Sequence, residues 1–423
     1  MPTDPARFEQ RFQNELDRLG KADIDEADRR AIRRFITAKD STCAISSLMQ
    51  YAKQLRVTAR RATVPLAEMD LDDARDMFFE FSHSNEYGRG DGGMSESTLQ
   101  NTQRICKMFW QFLDRDWADD IDVASVSPKT VDAEDMLGPE DIQALTSAAR
   151  YARDVALIEF FADTGARRTL VASLRVKDVD PDGERATYQP NADALGLKGA
   201  DIKPYPIIDS RAVLRNYLRT SHPRPDEPDA ALFHKMQGYD EDVDEDPGGL
   251  SASGLRSLLE SITARADVEK PTNPHNFRHS AITRMIREGY TRTQIEHRVH
   301  WSLDTAMWET YVHVTAEELN DDIFGTAGVG DPTEESNPVR KTCGNCHEAL
   351  APHHPHCPNC GEPATPEARR QRDEKEDDVV DALVDATSAR GRRRLRVLLD
   401  EIDDDPRLAI DDGHASSPSS ESS

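Results

Sequence analysis

The chain lacks any long apolar run. No hydrophobic stretch approaches the roughly 20 residues a helix needs to cross a bilayer, and Met1-Pro2-Thr3-Asp4 lacks the basic-then-apolar layout of a secretory signal. Both absences make the cytoplasm the expected compartment. Cysteine is sparse, six in 423 residues. Cys43 and Cys106 stand alone within helical patterns and read as buried small apolar residues rather than a disulfide. There is no internal repeat. Positive charge is short: 53 basic residues face 79 acidic ones, for a formal net charge of −26. Taken as a bulk property, that balance argues against a polyanionic partner.

The charge argument weakens on closer reading. Acidic residues concentrate in stretches such as Asp240 to Asp246 and Asp373 to Asp378, and Arg greatly outnumbers Lys. This balance resembles that of halophilic proteins, which work in molar salt. There an acidic surface serves solubility and says little about ligands. Hydrophobic residues make up 37% and charged residues 31% of the chain, so the protein is soluble and very polar. Its length suggests two or three domains, each able to bury a core.

Hydrophobic spacing divides the chain. Residues 1–22 read as an N-terminal arm. Over 23–118, Ile32, Phe35, Ile36, Ile45, Leu48, Met49 and Leu55 recur at helical spacing, and Ser95 to Thr98 offers N-caps for a helix carrying Ile105, Met108, Phe109 and Phe112. An acidic linker is expected over 119–136. A second domain spans 137–324; it opens at Pro139, a favoured first-turn residue, with Glu140 and Asp141 at the positive helix end. Its next helix carries Val155, Leu157, Ile158, Phe160 and Phe161 and stops at Gly165. Ala186 to Tyr188 and Tyr205 to Ile208 read as short strands, with Lys198 in a hairpin turn between them. The expected fold class is mainly α with a small antiparallel β-sheet. After a linker at 325–340 and a cysteine module at 341–362, residues 363–423 form a charged tail. Helical signals at Val379, Leu383, Val384, Leu395, Val397 and Leu398 precede a disordered serine-rich end.

The most informative segment runs Pro274-His275-Asn276-Phe277-Arg278-His279-Ser280-Ala281-Ile282-Thr283, followed downstream by Thr310-Tyr311-Val312-His313. A His and an Arg three positions apart share a helix face. Breaking and rejoining a phosphodiester without a metal needs rigid cations around the phosphate oxygens, which the planar fork of arginine supplies. It also needs a side-chain nucleophile that keeps the bond energy as an ester, and a proton for the leaving oxygen. Arg167, Lys198, His275, Arg278 and Tyr311 offer these groups in order.

The stretch from about 137 to 324 resembles the catalytic domain of tyrosine recombinases, the phage-integrase and Xer family. Thr164-Gly165-Ala166-Arg167 with Leu174 to Asp180 is similar to the family's first box, and His275 to Thr283 matches the second almost word for word. The helical segment before it is similar to the family's core-binding domain, which clamps double-stranded DNA. By that resemblance Arg167 and Arg278 clamp the scissile phosphate, Lys198 is the general acid, His275 assists proton transfer, and Tyr311 forms a 3′-phosphotyrosyl link. No ATP or metal is implied for the reaction. The fifth position is open between His300 and Trp301; Trp301 fits the spacing, precedes Ser302 and is favoured as a support for the phosphate. Where the family usually has an acidic residue, three positions after the first arginine, this chain has Leu170, and Arg168 adds ambiguity about which guanidinium faces the phosphate. The resemblance implies a homo-oligomer on paired DNA sites, with Ala316 to Phe324 packing on a neighbour and no membrane partner.

Cys343-Gly344-Asn345-Cys346 and Cys357-Pro358-Asn359-Cys360 form two Cys-x-x-Cys knuckles, the ligand spacing of a structural zinc site. The module resembles a zinc ribbon and is too small to fold without metal. It could also serve an accessory protein partner. Two other classes stay open: a catalytically weak or inactive recombinase-like DNA-binding regulator, suggested by Leu170 and the added ribbon, and a zinc-dependent adaptor.

Overall fold

The computed structural model describes residues 3–87, 92–126, 132–183, 185–244, 246–311, 342–372 and 374–375. The chain divides into two compact units, Met1–Thr130 with Asp193–Lys198, and Val131–Ala192 with Gly199–Ser423.

The first unit is built of helices. α1 (Phe8–Lys21), α2 (Glu26–Lys39), α3 (Ile45–Arg61), α4 (Leu71–His83) and α5 (Glu96–Phe112) precede a short 3₁₀ turn at Asp116–Asp120. Asp25 caps α2 by accepting from the Ala27 N–H, and Asp70 and Asp73 form a reciprocal capping box at α4. Ile32, Phe35, Leu48, Leu55, Phe81, Ile105 and Phe109 fill one core, each contributing about 1.5–3 kcal/mol by burial. Two expectations change here. Residues 1–22 are not a free arm: α1 places Phe12 and Leu19 in this core, because its apolar residues share one helical face. The expected linker also starts later, since Ile121 still belongs to the core and the Ala124 N–H still donates to Gln103.

The second unit comprises α6 (Pro139–Ser147), α7 (Ala152–Thr164), α8 (Arg168–Ser173), α9 (Arg211–Thr220), α10 (Ala252–Ala266), α11 (Pro274–Arg287) and α12 (Arg292–Arg298) together with a small antiparallel sheet. Its strands are β1 (Val179–Asp180), β2 (Thr187–Tyr188) and β3 (Tyr205–Pro206), in that order, with Val179 opposite Tyr188 and Tyr188 opposite Tyr205. Lys198 does not sit in a tight hairpin. The β2–β3 connection is long, and its Asp193–Lys198 stretch leaves the sheet to join the first unit, where Thr3 bonds to Asp193 and Leu195.

α7 organises this unit. Leu157, Ile158, Phe160 and Phe161 are fully buried, and α11 packs along it. Near its end the Asp163 carboxylate pairs with Arg298 at 2.7 Å and accepts from the Ile208 N–H, the Ser210 N–H and the Ser210 hydroxyl. One acid therefore ties α7, α12 and the segment after β3 together. α7 ends at Gly165 in the left-handed region, φ 59°. A Cβ there would lie 3.1 Å from the Ala281 Cβ. Gly165→Ala is therefore expected to cost about 1–3 kcal/mol, from the left-handed backbone and the tight contact together. An unchanged unfolding midpoint in urea would contradict this.

Cys343–Cys346 and Cys357–Cys360 head two similar knuckles. In each, the residue four positions after the first cysteine, His347 or Gly361, has positive φ and donates its N–H back to that cysteine's carbonyl. The expected linker at 325–340, Ala316 to Phe324 and the tail helices lie outside the described residues.

Candidate active site

α11 starts where the sequence says it should. Asn273 caps it by accepting from the His275 and Asn276 N–H groups, and Pro274 occupies the first turn. This registers His275 as exposed at the helix start and turns Arg278 inward, 4% exposed. The two terminal nitrogens of Arg278 donate to the Gly165 carbonyl at 2.8 Å and the Val299 carbonyl at 2.6 Å. Its guanidinium is thus fixed between the ends of α7 and α12, with further N–H donors left over.

Arg167 lies two residues after Gly165, at the N-cap position of α8; its Nη1 donates to the His300 carbonyl at 3.5 Å. That contact selects Arg167 over Arg168 as the inward guanidinium. Leu170 is buried in α8 and brings no charge. Among the described residues, neither Arg167 nor Arg278 has a carboxylate partner. Buried Arg153 and Arg298 do, with Asp154 and Asp163, as does half-buried Arg284 with Asp209, whereas buried Arg224 spends its nitrogens on the Asp240 and Asp246 carbonyls. The consequence is electrostatic. Burial, then the neighbouring charge of Arg167, pushes Arg278 down to about 9, and burial alone lowers Arg167. Two partly desolvated cations facing each other without a counter-ion form a site for an anion.

Tyr311 closes the 3₁₀ turn Ala306–Tyr311 and is fully buried. Burial raises its phenol well above the ordinary value, with Arg278 opposing. Its Oη lies 2.5 Å from the His279 Nδ1. The Trp301 ring lies 6.0 Å from the Tyr311 ring and 5.4 Å from the Arg278 guanidinium carbon. His300 points elsewhere. Its backbone is left-handed, φ 57°, and its Nε2 lies 3.1 Å from the Tyr188 hydroxyl, with the ring against Tyr205. Burial and then Arg278 lower His300 to about 3, so it is neutral. Trp301 is therefore the one of the two whose side chain meets both Arg278 and Tyr311.

The structure brings Arg167, Arg278, Trp301 and Tyr311 together, with His275 at the edge, its ring 4.3 Å from that of His279. Lys198 is exposed, with φ 51°, in the stretch grouped with the first unit. Sequence reasoning missed His279, although position i+4 from His275 was the signal. It also missed Asp163, whose signal was an acid set among apolar residues near the end of α7.

The four ribbon thiols converge. Cys343 and Cys360 Sγ are 3.6 Å apart and Cys346 and Cys357 Sγ 3.5 Å apart, close to the ~3.8 Å edge of a tetrahedron around an ion at about 2.3 Å. Burial pushes Cys357 and Cys360 up; at Cys346 hydrogen bonds from Asn359 and Glu348 outweigh burial and hold it at about 7. The cluster fits a structural zinc ion. A second convergence, Glu159 with His353 and His354, has a different character. The His353 Nε2 lies 2.8 and 2.9 Å from the two Glu159 oxygens. The Ala351 N–H donates to the His354 Nδ1 at 3.3 Å, which leaves the proton on Nε2, where it faces Glu159. Burial would raise Glu159, but the two histidines outweigh it and bring it to about 2. This is a hydrogen-bonded clamp between the ribbon and α7.

Residues 135–318 match the model of the phage integrase family. Over that segment the chain is similar to members of that family. It is 27% identical over 194 residues to the tyrosine recombinase XerD of Listeria monocytogenes (serotype 4b, strain F2365), covering 45% of this chain and 58% of that protein. It is 24% identical over 212 residues to XerC of Anoxybacillus flavithermus, covering 47% and 63%. The chain thus spans roughly three fifths of the curated relatives it matches. In fold it is similar to the Tn1549 transposon integrase, solved in complex with circular intermediate DNA. The TM-score is 0.50 at 16% identity, covering 69% of this chain and 98% of that one. Among the described residues, no helix is long and apolar enough to cross a membrane.

Proposed function

We propose that the chain is a site-specific DNA recombinase or integrase that cleaves and rejoins strands through a 3′-phosphotyrosyl intermediate at Tyr311. One observation carries the reading: Arg167 and Arg278 form a desolvated cation pair with no acid partner among the described residues, beside a phenol that touches a histidine. A scissile phosphate supplies the missing negative charge. As that phosphorus becomes pentacoordinate it gains charge, and donors already fixed on backbone carbonyls need no reorganisation to meet it. The Trp301 face steadies the Arg278 fork. Lys198 supplies the proton to the departing 5′ oxygen, and His275 assists from the edge of the pocket. The ester bond energy stays in the tyrosyl link, so the reaction takes no ATP.

Zinc belongs to the ribbon. Cys343, Cys346, Cys357 and Cys360 fill four positions, and the ion supplies the folding energy that the small cluster of Cys343, Leu350 and Cys357 does not. The partners are double-stranded DNA and further copies of the chain on paired sites; the acidic composition fits a salt-rich cytoplasm.

The test uses a pool of nicked duplexes of randomised sequence, which trap the intermediate when the strand beyond the nick diffuses away. Wild type is expected to give an adduct that survives SDS, and Tyr311→Phe none. An adduct that persists in the variant would assign the nucleophile elsewhere. Binding by wild type with no adduct at any salt concentration would favour the regulator reading.

A further inference from the structure

We propose that His279, one helical turn after His275, is the group that takes the Tyr311 proton as the phenol attacks phosphorus. The inference rests on the recombinase reading and adds a catalytic residue to it.

The geometry singles out His279. Its Nδ1 is 2.5 Å from the Tyr311 Oη, within reach for direct transfer. It stands next to Arg278 on α11, a helix held against α7 by buried Phe277 and Ile282. Any phosphate held by Arg278 must receive the attacking oxygen close by, so acceptor and clamp move as one rigid piece. His275 is exposed at the helix start and packs its ring edge against His279, a position suited to the phosphate or to passing the proton onward.

The protonation states agree. Tyr311 is buried and its phenol is raised, so at neutral pH it holds its proton and needs an acceptor. Among the described residues the groups facing His279 are His275, Arg278 and Tyr311; burial first, then the charges of His275 and Arg278, bring it to about 4. It is therefore neutral across the physiological range, with a lone pair available when Nε2 carries the hydrogen. In the forward step the Tyr311 Oη bonds to phosphorus, the bond from phosphorus to the 5′ oxygen breaks, and the phenol proton passes to His279 Nδ1. The 5′ oxygen takes its proton from the general acid, Lys198. Ligation runs the same transfers backwards and returns the His279 proton to Tyr311.

The experiment compares wild type, His279→Asn and His279→Ala on the nicked duplex pool. A second set of duplexes carries a sulfur in place of the bridging 5′ oxygen, a leaving group that needs no proton. Asn fills the space and can accept a hydrogen bond but does not act as a base. Single-turnover cleavage at pH 7 is expected to fall about 10²–10⁴-fold in both variants, the usual size of one proton-transfer group. The sulfur substrate should restore Lys198→Ala but not His279→Asn. Wild-type rates should be flat from about pH 6 to 8, whereas His279→Asn should rise about tenfold per pH unit as the phenol must ionise unaided. Added imidazole should partly restore His279→Ala. A His279→Asn rate within threefold of wild type, with Tyr311→Phe inactive, would overturn this inference and leave the recombinase reading intact. A wild-type chain that forms no adduct would overturn both.

Discussion

Arg278→Lys is expected to lower strand cleavage about 10²–10³-fold while changing DNA affinity much less. That is the usual cost of losing one preorganised donor to a developing oxyanion. The structure explains why a lysine cannot substitute. The Arg278 fork spans the Gly165 and Val299 carbonyls at once, at 2.8 and 2.6 Å, and still has N–H groups for a phosphate. A lysine ammonium on a flexible stem can meet one of these carbonyls or the phosphate, but not all three in fixed geometry. It also leaves a buried carbonyl unpaired, at about 1–3 kcal/mol. The variant should therefore unfold at lower denaturant as well as cleave slowly. The measurement is single-turnover adduct formation beside equilibrium DNA binding and urea unfolding. Cleavage within threefold of wild type would show that Arg278 is a structural tie and that another cation meets the phosphate.

Cys343→Ser is expected to remove one zinc ion per chain and to unfold the segment around 342–372. Zinc sites of this kind supply about 10–16 kcal/mol at neutral pH, far more than the ribbon's few buried apolar side chains. Amide exchange over the ribbon should rise to the rate of a free peptide, and a chelator acting on wild type should reproduce it. The loss has a second consequence. Glu159 is 3% exposed on an apolar helix, and its described partners are His353 and His354. Without the ribbon its carboxylate faces water instead of two imidazoles, so it should titrate higher than the value of about 2 it has in the clamp. Retained ribbon protection in the metal-free variant would show that packing through Glu159 and the Arg215–Glu348 pair holds the module by itself.

The site was legible to the extent that chemistry follows local order. The second box could be read directly because one helix carries His275, Arg278 and His279, and its start is written in Asn273 and Pro274. Trp301 was favoured over His300 from spacing, and the structure separates the two by direction: the left-handed backbone at His300 sends one ring to Tyr188 and the next to Arg278. The N-terminal boundary was misjudged because α1 is short of apolar residues. Its helix forms by packing Phe12 and Leu19 onto a core assembled from residues far along the chain.

By itself the order of residues determined the helical and strand pattern and the two cysteine knuckles, since each depends on spacings of a few residues. Tertiary structure alone decided which charges went without partners. Asp163 went to Arg298, Asp209 to Arg284 and Asp154 to Arg153, while Leu170 brings no charge and Arg167 has no acid among the described residues. Ion pairing is settled by which side chains are desolvated together, and Asp163 meets Arg298 across a sequence separation of 135 residues.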